Sequence, residues 1–372
     1  MTNVALIILD TVRKDYFDEH ATRLREMADV EFEWCYAPSS WSIPSHASIF
    51  SGELPHCHGV HSYNPDYSDL DPKFFDNLPH RTIGVSANGA VSGSFGVDSL
   101  FDEFHSFAGN DEYSPAALSF GDISDIEGYR RYVEYLRRAS DQGVFFQSLL
   151  NGFYIKLNEV LSGQPLPRVG DFGANAVVET SLSEVDSEPF FLFCNFIDAH
   201  GPMENLWRLD SDISYEWSSQ ELDLQSVRDR SRDELEIYLK NYRELYASNV
   251  RYLDRQVSYL IERVQSRTDE RTVFIVTADH GEELRLSGER DLGHMDFTSG
   301  LLHVPCVMIG AGGEDGSGLT SLLDTGEIVR SVAHGGDIPD IVRSRVPAER
   351  PGMMFYDGDN EYWTRGVRTV YK

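Results

Sequence analysis

Short runs of apolar, often β-branched residues recur along the chain, each closed by a polar or glycine-containing stretch. Residues 4–9, 82–86, 190–197, 272–277 and 304–309 are of this kind, the pattern of strands buried on both faces. Between them the apolar period changes to that of helices, over 18–29, 174–183 and 234–264. The alternation predicts an α/β fold, a doubly wound, mostly parallel sheet flanked by helices. Such sheets bind ligands beyond the carboxyl ends of their strands. Asp10, Asn88, Asp198, His200, Asp279 and His280 all fall there.

Residues 1–310 read as the main α/β unit. A helical insertion is expected at about 108–170, carried by helical periods over 129–138 and 145–161. A glycine-rich, acidic loop over 310–318 precedes a short C-terminal subdomain, 311–372, which is either reduced or truncated.

Charge narrows the partners. Lys and Arg number 32 against 61 Asp and Glu, a net charge of −29, which excludes a nucleic-acid backbone as ligand. Only Lys14, Lys73, Lys156, Lys240 and Lys372 are lysines. An acidic, lysine-poor surface suits a protein that stays hydrated in molar salt, and a halophilic archaeon is the expected source. The first apolar run is too short for a signal-peptide core, and no segment is long enough to span a membrane. No Asn-x-Ser/Thr acceptor occurs, and Cys35, Cys57, Cys194 and Cys306 lack metal or redox spacing. Free thiols and a cytoplasmic location are therefore expected.

The chemistry-bearing segments are Asp10-Thr11, Trp41-Ser42-Ile43-Pro44-Ser45-His46, Asp198-Ala199-His200-Gly201-Pro202 and Asp279-His280-Gly281-Glu282. Carboxylates, an imidazole and a hydroxyl form a hard donor set for one divalent cation, Mn²⁺, Ca²⁺ or Mg²⁺, with Zn²⁺ also compatible. Asp10, Ser42, Asp279 and His280 would supply it. Such an ion activates a hydroxyl and withdraws charge from ester oxygens. In type and order these segments resemble the sulfatase family of the alkaline phosphatase superfamily, over most of the chain.

The resemblance implies an anionic ester substrate, glycan-linked in some relatives. It makes Ser42 the nucleophile, two residues before Pro44, while Ser45 and the neighbouring serines read as structural or capping residues. It implies that His200 protonates the leaving group and that His294 clamps the anion. Asn88, His46 and His303 are expected to contact substrate. A second metal on Asp198, His200 and His294 is left open, although Asp198 and His200 lie closer in sequence than such a site needs. The cluster His56, Cys57, His58 and His61 follows no structural-zinc pattern.

Two departures shape the expected reaction. His46 stands where sulfatases matured to formylglycine carry arginine, so formylglycine is not expected and Ser42 would act as a plain hydroxyl. That favours phosphoester chemistry over sulfate release, with a true sulfatase on a sulfated glycan or aryl sulfate as the alternative. A headgroup phosphotransferase and a non-catalytic binder of anionic glycans are further alternatives. Thr11 stands where many relatives have a second aspartate.

The charge reading is open to direct test. Screening of the net −29 should raise the melting temperature steadily between about 0.1 M and about 2 M KCl. A flat or falling melting curve over that range would remove the argument for a salt-adapted surface.

Overall fold

The computed structural model describes residues 1–73, 78–107, 129–141, 144–145, 148–149, 152, 170–185, 189–221, 231–285, 297–351, 354–357, 360–363 and 367–371. Its strands, in chain order, are β1 (Asn3–Leu9), β2 (Val30–Tyr36), β3 (Arg81–Ser86), β4 (Glu103–Ser106), β5 (Phe190–Phe196), β6 (Thr272–Thr277), β7 (His303–Val304), β8 (Cys306–Ile309) and β9 (Gly316–Ser321). These nine form one sheet in the order β4-β3-β5-β1-β6-β8-β2-β7, with β9 on β2. The run β4-β3-β5-β1-β6 is parallel throughout, whereas β8 is antiparallel to both β6 and β2. The doubly wound sheet read from the sequence is therefore present, in mixed form. Beyond it, β10 (Val346–Arg350), β11 (Met354–Asp357), β12 (Asn360–Trp363) and β13 (Val367–Tyr371) pair as two antiparallel ribbons, β10 with β13 and β11 with β12.

Every residue of β1, β5 and β6 is buried, which is what continuous apolar runs require in the centre of a parallel sheet. The run at 304–309 is not one strand. Pro305 lacks an amide hydrogen and separates β7 from β8. The sequence reading passed over β2, whose Val-Glu-Phe-Glu alternation is the period of a half-buried strand. It also passed over β4 at the sheet edge. Because β9 lies beyond residue 310, the main sheet draws on both sides of that position.

The helix expected over 18–29 is two helices, Lys14–His20 and Thr22–Met27, broken at Ala21. The reason is tertiary. Asp254, from the long helix Arg232–Gln265, accepts hydrogen bonds from the amides of Arg23 (3.2 Å) and Leu24 (2.9 Å), so a distant carboxylate caps the second helix. The long helix itself starts where the sequence encodes it, at a capping box formed by Ser231 and Glu234. With Ala174–Glu184 and the two short helices it forms one packed group. The helices Ser42–Ser51, Pro55–His58 and Thr325–Ala333 belong to another. Of the expected insertion, a helix at Tyr129–Asp141 is seen, while most of 145–161 lies outside the described residues.

Ser42–Ser51 is buried along its whole length, so its polar side chains need internal partners. One of these is His58. Its Nδ1 accepts from the Val60 amide at 3.0 Å, leaving Nε2–H to donate to Ser48 Oγ at 2.9 Å. Burial pushes the His58 pKa down to about 4. An unfolded histidine binds its proton near pH 6.5, so between there and about pH 4 the unfolded state holds more protons and stability falls as pH falls. The stability advantage of the native chain over His58→Gln should shrink by roughly 2 kcal/mol from pH 7 to pH 4.5, read from urea midpoints. A gap independent of pH would mean that the imidazole is not held neutral.

Candidate active site

Asp10 follows β1, Asn88 follows β3, and Asp279 and His280 follow β6, all on strands of the parallel block. The register sets Ile8 against Thr277, which brings the two aspartates together. Ligand atoms of Asp10, Asp279 and His280 lie within 4.8 Å of one another, and all three residues are fully buried.

Ser42 is the first residue of its helix and meets this group. Its hydroxyl lies 3.3 Å from Asp10 Oδ2, to which it donates, and 3.1 Å from His280 Nε2. His280 Nδ1–H donates to the Gly281 carbonyl at 2.7 Å, which fixes the tautomer and leaves the Nε2 lone pair facing Ser42. Asn88 Nδ2 donates to Asp10 Oδ2, and its Oδ1 accepts from the Ala90 amide at 2.8 Å. Asp279 Oδ1 accepts the amides of Thr11 (3.3 Å) and His280 (2.9 Å).

Among the described residues, two buried oxygens, Asp10 Oδ1 and Asp279 Oδ2, have no hydrogen-bond partner. Burial, and then the charge of Asp279, push the Asp10 carboxyl well above the usual range. Burial works against the Asp279 charge, and the amides of Thr11 and His280 favour it. Facing carboxylates with unmatched buried oxygens are what a dication would satisfy. The donor set Asp10, Asp279, His280 and Ser42 therefore fits a hard divalent ion.

His46 does not face a ligand. It is wholly buried behind Ser42, where Nδ1–H donates to the Ser42 carbonyl (2.9 Å) and Nε2 accepts from Asn195 Nδ2 (2.8 Å). Burial lowers its pKa and keeps the ring neutral. Its expected contact with substrate is thus replaced by support of the helix that carries Ser42. His303 also lies elsewhere. Stacked between Trp34 and Tyr36 on the edge strand β7, it donates from Nε2 to the Glu33 carbonyl at 2.8 Å. Ser45 is structural, donating to the Asp279 carbonyl at 2.6 Å. His200 is partly exposed just past β5, with Nδ1–H on the Gly201 carbonyl at 2.6 Å. His294 lies outside the described residues.

Asp198 is fully buried and accepts the Phe172 amide at 3.0 Å. Burial and the neighbouring Asp171 raise its pKa well above its ordinary value, and it holds the loop through the Phe172 amide. Among the described residues it joins no metal-ligand group.

Several supports were invisible in the sequence. Thr11 adopts a left-handed φ of 62°, costly for a β-branched residue. The buried phenol of Tyr246, from the long helix, donates to the Thr11 carbonyl (2.7 Å) and accepts the Arg13 amide (2.9 Å), clamping the turn after Asp10. Arg13 in turn donates to the Glu282 carbonyl at 2.9 Å, tying that turn to the loop after β6. Gly281 lies so close to Gly300 that a Cβ there would collide with the Gly300 carbonyl.

A family model described as Sulfatase matches residues 171–325, a segment that contains Asp198, His200, Asp279 and His280. A choline-sulfatase of Rhizobium meliloti (strain 1021) is 25% identical over 346 residues, covering 86% of this chain. The chain spans 64% of that relative's length. Among solved structures, a phosphonate monoester hydrolase from Silicibacter pomeroyi superposes with a TM-score of 0.60 at 16% identity, over 94% of this chain and 80% of that one. A 2-O GAG sulfatase gives 0.59 at 13% identity, over 100% and 84%. These superpositions establish a sulfatase-like fold. The matched segment supplies Asp279 and His280, and Asp10, Asn88 and Ser42 meet them from the N-terminal part of the chain.

Tyr246→Phe should destabilise the chain by about 1–3 kcal/mol, because it strands the Arg13 amide and the Thr11 carbonyl in a buried site. Urea unfolding measures it. A change within about 0.5 kcal/mol would show that the turn holds without the clamp.

Proposed function

We propose that this chain is a metal-dependent hydrolase of phosphate or sulfate esters, with Ser42 as an unmodified nucleophile and phosphoesters the preferred substrates. One observation carries the reading. The Ser42 hydroxyl meets the buried Asp10 carboxylate and the His280 imidazole, and these two lie with a second buried carboxylate, Asp279, at the carboxyl ends of neighbouring strands.

Asp10, Asp279, His280 and Ser42 would hold the ion, and the ion when bound lowers the hydroxyl pKa and draws charge from the ester oxygens. The rest falls to the side chains. Asp10 Oδ2 accepts the hydroxyl proton in its hydrogen bond, so the Ser42 oxygen presents its lone pairs away from that carboxylate. Asn88 fixes the same Asp10 oxygen and keeps it from rotating. His46, bridging Asn195 and the Ser42 carbonyl, holds the first turn of the helix in place. His200, partly exposed just past β5, is placed to protonate the leaving oxygen. A plain seryl ester of sulfate has no route to expel sulfate by collapse of a hydrate, and this favours phosphorus over sulfur.

The sulfatase reading keeps independent support, since both the family model and the curated relative are named for sulfate esters. The experiment compares nitrophenyl sulfate, phosphate and phosphodiester with Mn²⁺ in molar KCl. Phosphoester cleavage should dominate, stop on chelation, and fall by about 10³-fold or more in Ser42→Ala. Dominant sulfate cleavage would overturn the phosphoester preference and point to a modified Ser42. Turnover untouched in Ser42→Ala would overturn the nucleophile.

A further inference from the structure

Away from this site, the helix Pro55–His58 carries a second arrangement of nucleophile, base and carboxylate. Cys57 is exposed, and its Sγ lies 3.2 Å from His56 Nε2. His56 Nδ1 lies 2.7 Å from Glu349 Oε2, on β10. The Glu349 side chain is 6% exposed, and the same oxygen also accepts the His56 amide at 3.3 Å. Its own backbone is tied to the Pro38 carbonyl at 2.8 Å, four residues before Ser42. The carboxylate is therefore a fixed anchor, while the thiol and half of the imidazole face solvent.

The hydrogen bonds assign the protons. A carboxylate only accepts, so Nδ1 carries the hydrogen it donates to Glu349 and Nε2 presents a lone pair to the thiol. That is the orientation a histidine needs to take a proton from sulfur, with a buried carboxylate to stabilise the imidazolium that results. Among the described residues neither His56 nor Cys57 belongs to a metal-ligand group. The pair reads as base and nucleophile rather than as half of a metal site.

We propose that Cys57 is a reactive thiol that undergoes exchange with low-molecular-weight disulfides, using His56 as base and Glu349 as its orienting anion. The Cys57 proton passes to His56 Nε2, and the thiolate attacks one sulfur of the disulfide. A bond forms between Cys57 Sγ and that sulfur as the reagent's own S–S bond breaks. The departing thiolate takes the proton back from His56. Cys57 is oxidised and the leaving sulfur reduced, so the disulfide is the only co-reactant needed. The net charge of −29 makes neutral or cationic disulfides the fitting class, since anionic ones are repelled. The other cysteines provide an internal control. Cys35, Cys194 and Cys306 are buried, and burial pushes the Cys194 thiol up to about 12.

The test uses the full folded chain at pH 7 in molar KCl, with neutral dithiodipyridine and dicationic cystamine, followed by peptide mass mapping. The adduct should fall on Cys57 alone and vanish in Cys57→Ser. Its rate should exceed that of the thiols of the urea-unfolded chain by about tenfold. His56→Gln, a change at a half-exposed position, should remove that acceleration, and Glu349→Gln should reduce it. Reaction of Cys57 no faster than unfolded thiols, or equal rates in native and His56→Gln chains, would overturn the proposal. Because His56 is half exposed and its backbone amide bond to Glu349 remains in His56→Gln, the result does not depend on whether the buried Glu349→Gln variant folds.

Discussion

Two carboxylates face each other in the interior, and much of the architecture around them exists to make that tolerable. Placing Asp10 and Asp279 on adjacent parallel strands removes both from water, at a cost of several kcal/mol per charge if nothing answers them. Amides of Thr11 and His280, the Asn88 amide and the Ser42 hydroxyl answer part of the charge. The two oxygens left unmatched among the described residues are where a divalent ion would fit. A single ionic constraint thus decides which loops must be rigid, which helix must be buried and which hydroxyl is drawn into contact.

The supports follow from that demand. A left-handed threonine after β1 is held by a phenol from a helix more than two hundred residues later in the chain, and an arginine links the same turn to the loop after β6. Burial keeps the Tyr246 phenol neutral, which lets it donate and accept at once. The helix beginning at Ser42 is buried along its length, so even its histidine serves as an internal strut between a carbonyl and an asparagine. Where sulfatases matured to formylglycine carry a charged arginine, this chain carries a neutral ring.

Much of this was legible in the order of residues. Asp10, Asp279 and His280 could be read because each follows a continuous apolar run, and such runs become central parallel strands whose carboxyl ends converge. Ser42 was indicated only by the resemblance of its segment, two residues before Pro44, to the sulfatase motif. His46 and His303 misled, because histidine looks alike in sequence whether it braces a helix, stacks between aromatic rings or faces a ligand. Asn195 and Tyr246 left no signal at all. Both sit within regular apolar elements, and their polar ends acquire meaning only when a distant backbone group comes to meet them.

The sequence alone determined the central strands β1, β3, β5 and β6 and the identities of the acidic and imidazole groups at their carboxyl ends. Those depend on local periodicity and on strand ends, which are properties of contiguous residues. Tertiary structure decided the rest: the antiparallel insertion of β8, the break at Ala21 beside Asp254, the burial of Asp198, and the turning of His46 away from solvent. Each of these rests on a partner far away along the chain. Desolvation and hydrogen bonding act between groups that meet in space, whatever their separation in sequence.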